Sequence, residues 1–69
     1  MKNLIAYTSK EPRLRLEIEK DEAAGFYLFV YPENSKDSIA DYLQDTLDDV
    51  FDQAKEMYSI SPDQWKEKR

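Results

Sequence analysis

The segment from Ser35 to Tyr58 reads SKDSIADYLQDTLDDVFDQAKEMY, and its spacing of apolar residues predicts one long helix. At about 100° per residue, the apolar side chains fall within one arc of roughly 120°. They are Ile39, Leu43, Leu47, Val50, Phe51, Ala54, Met57 and Tyr58. Ser35, or Ser38 with Asp41 three residues later, is a candidate N-cap, which places the first helical turn between residues 36 and 39.

The opposite side of this predicted helix carries an acidic ridge, which we define as Asp41, Asp45, Asp48, Asp49, Asp52 and Glu56. One interpretation is a solvated face that keeps the protein soluble. The other is a binding surface, because like charges four residues apart on a helix repel by about 0.2–0.5 kcal/mol per pair at low salt. Lys55 is the only basic residue on the body of the helix. A basic protein partner would relieve this repulsion.

Three segments before the helix have the patterns of β-strands. Asn3–Thr8 is short and β-prone, Arg13–Glu19 alternates strictly between polar and apolar residues, and Phe26–Tyr31 is an unbroken aromatic and aliphatic run. Gly25, the only glycine, can supply a bulge or a positive φ before the third strand, and Pro32 ends that strand. We therefore expect a three-stranded antiparallel sheet.

The third strand should present one face to the helix and the other away from it. We expect Phe26, Leu28 and Val30 to face the helix, because this choice leaves the tyrosine hydroxyls near water. The outer sheet face is then defined by Arg13, Arg15, Tyr27, Phe29 and Tyr31. Arginine stems and tyrosine rings can cover one another across strands, or they can form a contact surface of the kind enriched at interface centres.

Beyond the helix, Ile60 and Trp65 are the apolar residues of a short tail. Pro62 prevents a simple continuation of the helix, but Ser61 and Pro62 together favour a second short helical turn from Pro62 to Lys66. Trp65 could be a platform for a ligand. Its apolar bulk favours a place in the core, because a small domain gains much from burying a tryptophan.

Composition limits the classes of function. Sixty-nine residues predict one domain, residues 1–69, that buries only about 60% of its unfolded surface. The net charge of −5 disfavours binding to nucleic acid or to anionic lipid, whereas a basic protein partner is easier to attract. The chain has no Cys and no apolar run of membrane-spanning length, and we expect a cytoplasmic protein.

The residue inventory also argues against catalysis. The chain has no His and no Cys, so the usual general base and nucleophile pairs cannot form. A single Gly cannot build a phosphate-binding loop. The acidic ridge is convex, whereas a metal site needs ligands that converge from several directions. We therefore expect no enzyme activity, no cofactor and no metal.

The run DYLQDTL at residues 41–47, followed by Ala54, residues 58–60 and Trp65, resembles the C-terminal half of small bacterial proteins, most of them uncharacterised. In these proteins a β-meander leads into a helix with a D-x-L-Q-D-T-L core. The resemblance covers residues 25–66 and departs at Ser59, where a helix-ending Gly is expected. It implies this fold without catalysis, and some proteins of this kind are regarded as immunity partners of toxins.

These patterns together predict an α+β domain of β-β-β-α order, in which the helix packs across one face of the sheet. The function we expect is that of a non-enzymatic protein-binding module, immunity-like or antitoxin-like, that presents the acidic ridge to a basic protein. The alternative is a homodimeric structural protein that associates through the outer sheet face or an edge strand.

Overall fold

The computed structural model describes residues 2–68, and within them it shows one α-helix and an antiparallel sheet, as the sequence predicts. The sheet has five strands instead of three, in the spatial order β4-β3-β2-β1-β5. The strands are β1 (Leu4–Tyr7), β2 (Leu14–Asp21), β3 (Gly25–Pro32), β4 (Ala40–Gln44) and β5 (Lys66–Glu67), and the helix is α1 (Leu47–Tyr58). None of the helical segments in this part of the chain has the length and apolar character needed to cross a bilayer.

The predicted start of the helix is wrong. The N-cap is Thr46, whose side-chain oxygen accepts a hydrogen bond from the Asp49 N–H at 3.1 Å, and α1 begins at Leu47. Neither Ser35 nor Ser38 caps a helix, because the chain between them and Thr46 turns and then forms β4. Of the predicted helix, only the last 12 residues, Leu47–Tyr58, are helical, and a strand and a turn precede them.

β4 forms because β3 would otherwise leave an edge unpaired beside the core. It pairs with β3 so that Tyr42 lies opposite Leu28 and Ala40 opposite Val30, on the side of the sheet that α1 covers. Strand alternation then turns Leu43 away from the core, and it is 47% exposed. Ile39, directly before β4, is 62% exposed, and its N–H donates to the Val30 carbonyl at 2.8 Å. The prediction that these two residues belong to the apolar face of the helix is wrong.

The inner face of the sheet is as predicted. Leu28 and Val30 are fully buried, and Phe26 is half-buried against the same cluster. The core combines residues from the sheet, from α1 and from the tail: Ala6, Leu16, Ile18, Leu28, Val30, Val50, Ala54 and Ile60. The helix contributes only Val50 and Ala54 to the fully buried set, so the sheet supplies most of the core.

The tail folds back over the core. Ile60 is fully buried, and the half-buried Trp65 lies with its ring centroid 6.1 Å from that of Phe51, so Trp65 is a core residue. A single turn of 3₁₀-helix covers Pro62–Gln64, and the Gln64 side chain accepts a hydrogen bond from the Ser61 N–H at 2.7 Å. The predicted turn is thus shorter than expected, and the chain then adds β5 to the edge of β1.

The sequence allows Gly25 either a bulge or a positive φ, and the structure gives it a positive φ of 120°. It begins β3 directly opposite the end of β4, where a Cβ atom would overlap the carbonyl oxygen of Gln44. Glycine is therefore required here both for its conformation and for the close approach of the two backbones.

Candidate interaction surfaces

The six acidic residues do not share one helical face. Asp41 lies in β4 opposite Phe29, on the outer side of the sheet, and Asp45 lies in the turn before the helix. The other four are on α1: Asp48, Asp49, Asp52 and Glu56. All six side chains are exposed. The acidic ridge is therefore a surface that runs from the edge of the sheet over the turn and along the helix.

Among residues 2–68, no cation forms an ion pair with the acidic ridge. Within residues 2–68 the ion pairs involve Arg13, Arg15 and Lys68, and none involves a residue of the ridge. Asp48 and Asp49 lie in the first turn of α1, where the helix dipole favours negative charge. In this described part of the chain, no group of three or more acidic side chains is arranged to hold a metal ion.

The outer sheet face carries a row of aromatic rings along β3. The Tyr27 and Phe29 rings stack with centroids 5.5 Å apart, and the Phe29 and Tyr31 centroids are 6.5 Å apart. The Arg15 guanidinium carbon lies 4.4 Å from the centroid of Tyr31, which is a cation–π contact. All three rings are half-buried. The sequence prediction that these residues share a face is confirmed.

Arg15 is fully engaged within the chain. Its two Nη atoms donate to the carbonyl oxygens of Glu33 and Ser35, each at 2.9 Å, and its Nε donates to Glu17 at 2.8 Å. Arg13 makes only one exposed ion pair, with Glu33 at 3.5 Å. Arg15 thus holds the loop after β3 against the sheet. Arg13 makes one ion pair among residues 2–68, so its other guanidinium N–H groups are available to a partner.

Glu17 is a buried charge that the sequence pattern did not reveal. It is 5% exposed although it lies on the outer side of the sheet, between its cross-strand neighbours Ile5 and Phe29. Its two carboxylate oxygens accept from Arg15 Nε at 2.8 Å and from Lys68 Nζ at 2.6 Å. The hydrogen bond to Glu17 raises the pKa of Lys68. The alternation of β2 predicted the direction of this side chain, but its burial depends on Lys68, which is 51 residues away in sequence.

Two exposed apolar side chains lie in β4 or directly before it. Four large apolar side chains are exposed among residues 2–68: Ile39 at 62%, Met57 at 51%, Leu43 at 47% and Tyr7 at 44%. Leu43 lies in β4 and Ile39 directly precedes it, whereas Met57 lies on α1 and Tyr7 in β1. We define the β4 edge surface as Ile39, Asp41 and Leu43.

A small open cleft of about 190 Å³ lies between the β1–β2 loop and the end of α1. Its lining is formed by Thr8, Ser9, Lys10, Pro12, Met57, Tyr58 and Ser59. Beside it, the hydroxyls of Tyr42 and Tyr58 are 3.2 Å apart. Burial, together with this hydrogen bond to Tyr42, raises the pKa of Tyr58 to about 12, so this phenol stays protonated at neutral pH.

The chain matches no protein-family model, no curated protein and no solved structure. The candidate surfaces are therefore defined by the geometry of this chain alone. They are the acidic ridge, the outer sheet face and the β4 edge surface, and the acidic ridge meets the other two at Asp41.

Proposed function

We propose that this chain is a cytoplasmic protein-binding module without catalytic activity, and that its acidic ridge contacts a basic protein. The observation that carries the proposal is that six exposed carboxylates have no ion-pair partner among residues 2–68. On a chain of net charge −5, such a surface accelerates and favours association with a cationic partner and opposes association with nucleic acid or anionic lipid.

The arrangement on α1 supports this proposal. Asp48 with Asp52, and Asp52 with Glu56, are like-charge pairs four residues apart, each unfavourable by about 0.2–0.5 kcal/mol at low salt. Lysine or arginine side chains of a partner would remove this repulsion when the complex forms. An immunity-like role against a basic toxin is one form of this function.

The direct test is capture of partners from a cell extract at moderate salt, with and without the charges of the ridge. The triple variant Asp48→Asn, Asp52→Asn, Glu56→Gln should lose the partner that the unaltered chain retains. The matched control removes three exposed carboxylates outside the ridge, with Glu22→Gln, Asp37→Asn and Asp63→Asn. Both variants have the same net charge, so equal capture by the two would reject the ridge as the contact surface.

A second candidate function is that of a homodimer that associates through the outer sheet face. Exposed side chains at the margins of this face favour it. Tyr7 and Leu43, on opposite sides of the aromatic row, are 44% and 47% exposed. Tyrosine and phenylalanine beside arginine are the residue types enriched at the centres of interfaces. Pairing two such faces would also bury additional apolar surface for a short chain.

This second function predicts a mass of twice the monomer in light scattering. Phe29→Arg should then give a monomer or an unfolded chain. Tyr7→Lys, at an exposed position of the same face, should weaken the dimer while the circular dichroism spectrum stays unchanged. A dimer that survives both substitutions would reject the outer sheet face.

A further inference from the structure

β4 lies at one edge of the sheet, so one of its two hydrogen-bonding sides has no partner strand among residues 2–68. The Glu33 N–H donates to the Arg13 carbonyl at 3.2 Å, which shows that the odd-numbered residues of β3 direct their backbone groups toward β2. Hydrogen-bonding direction alternates along a strand, so the even-numbered residues of β3 pair with β4. In β4, Asp41 and Leu43 therefore direct their N–H and C=O groups away from the sheet.

This free edge has few of the features that protect an edge strand. Ala40–Gln44 contains no Lys and no Pro, the residues that natural edge strands commonly use against pairing. The exposed side chain of Leu43 lies along it, and the exposed Ile39 directly precedes it. An added strand would therefore gain backbone hydrogen bonds and would cover apolar surface at the same time.

The charges beside the β4 edge indicate which side chains an added strand should carry. Along the outer side of β4 the side chains are Asp41 and Leu43, with the exposed Ile39 directly before the strand and Asp45 directly after it, so apolar and acidic residues alternate along this segment. Resting on the proposed function, we infer that the β4 edge surface binds an extended strand of a partner protein by antiparallel or parallel strand addition. The outward side chains of that strand alternate between apolar residues and Lys or Arg.

A second copy of this chain fits the edge less well. In a symmetric antiparallel pairing centred on Tyr42, the free backbone groups of Asp41 face those of Leu43, but the two Asp41 carboxylates lie on the same face, diagonal neighbours about 7–8 Å apart. No basic residue of β4 offsets their repulsion. At the other edge, β5 has one lysine but is only two residues long. A basic strand of a different protein would form hydrogen bonds with the free backbone groups of β4 and would also offset the charge of Asp41.

The probe is a short synthetic peptide with Val and Lys alternating on one face and Thr on the other, titrated into isotope-labelled protein and followed by NMR. We expect the amide signals of Asp41 and Leu43 to shift and their hydrogen exchange to slow. A peptide with Glu in place of Lys should not bind. Methylation of two backbone nitrogens of the peptide leaves its charges intact but removes two hydrogen bonds, and it should weaken binding by about tenfold or more.

Two protein variants locate the contact. Leu43→Lys, at an exposed position, should abolish binding while the other amide signals stay in place. The control Glu22→Gln with Asp63→Asn, at two exposed carboxylates outside the acidic ridge, should leave binding unchanged. Signal shifts confined to α1, with equal binding of the methylated peptide, would overturn strand addition but leave the acidic ridge as the binding surface. No shift anywhere would overturn strand addition, and the capture experiment then decides the proposed function separately. A dimer in sedimentation that Leu43→Lys dissociates would assign the edge to a second copy and overturn the foreign partner.

Discussion

Ser59 ends α1 in the left-handed conformation, with φ of 59° and ψ of 34°. Its N–H donates to the Lys55 carbonyl at 3.1 Å, which is the usual way to close the C-terminus of a helix. A residue with a Cβ is strained in this region by about 1 kcal/mol, and glycine is not. A glycine at position 59 would adopt this conformation without the strain.

We therefore expect Ser59→Gly to stabilise the protein by about 0.5–1 kcal/mol, measured by urea or thermal unfolding. The gain is smaller than the strain because glycine is also more flexible in the unfolded chain. Ser38→Gly is the matched control, since Ser38 is an exposed loop residue without a positive φ. It should leave stability unchanged or lower it, and an equal gain from both would show that strain at Ser59 is not the cause.

Glu17 is the residue whose role depends most on its surroundings. Glu17→Gln keeps the shape of the side chain but removes the charge that binds Arg15 and Lys68. We expect a loss of about 1–2 kcal/mol in the free energy of unfolding, because hydrogen bonds to charged groups are worth about 1.5–3 kcal/mol and the two cations can regain water.

The measurement for Glu17 is chemical unfolding at low and at high salt. Glu67→Gln, an exposed carboxylate on β5, is the control and should change stability by less than about 0.5 kcal/mol. A Glu17→Gln protein as stable as the unaltered chain would mean that the buried carboxylate contributes no net stability.

At the scale of elements, residues 39–44 carry two patterns at once. Ile39 and Leu43 lie four residues apart and continue the helical spacing of Leu47 and Val50. The same residues also alternate with Ala40 and with the tyrosine at position 42, which is a strand pattern. Periodicity alone does not distinguish the helix from the strand. The strand forms because its pairing with β3 satisfies backbone groups that β3 would otherwise leave unpaired, and because it covers part of the core.

The boundary between β4 and α1 gives a test of this assignment. Thr46→Ala removes the oxygen that caps the Asp49 N–H and should cost about 1 kcal/mol. Ser38→Ala should cost almost nothing, although Ser38 is a candidate N-cap in the sequence. Thermal unfolding of both variants distinguishes the two helix starts, and the opposite ranking would place the start of the helix near residue 38.

At the scale of the whole molecule, contacts distant in sequence close the fold. Lys68 reaches Glu17 in the middle of the sheet, and the Tyr42 hydroxyl meets that of Tyr58 at the end of α1. The contact between the tyrosines requires a hydroxyl proton, and the contact with Glu17 requires the protonated Lys68 ammonium. The pKa of Tyr58 is raised from 10.0 to about 12, first by burial and then by the hydrogen bond to Tyr42, and the pKa of Lys68 is raised by its hydrogen bond to Glu17.

A group whose pKa is raised by folding stabilises the folded state fully below its unfolded pKa, and this stabilisation is lost as the pH rises through the folded value. We therefore expect the melting temperature to fall between about pH 10 and pH 12. Tyr58→Phe should reduce this fall, whereas Tyr7→Phe, at an exposed tyrosine, should not. Equal alkaline sensitivity in all three proteins would exclude Tyr58 as the titrating group.

The sequence alone determined the α+β class, the first three strands, the inward direction of Leu28 and Val30, and a special backbone role for Gly25, because each depends on local alternation or on the chemistry of one residue. The places of Ile60 and Trp65 in the core followed from their apolar bulk.

Only the tertiary structure decided that residues 40–44 pair with β3, that Glu17 is buried under Lys68, and that the acidic ridge spans a strand, a turn and a helix. These features depend on which segments meet across the sheet. Local periodicity does not contain that information, because the same spacing of Ile39 and Leu43 is compatible with a helix in isolation and with an edge strand beside an unpaired neighbour.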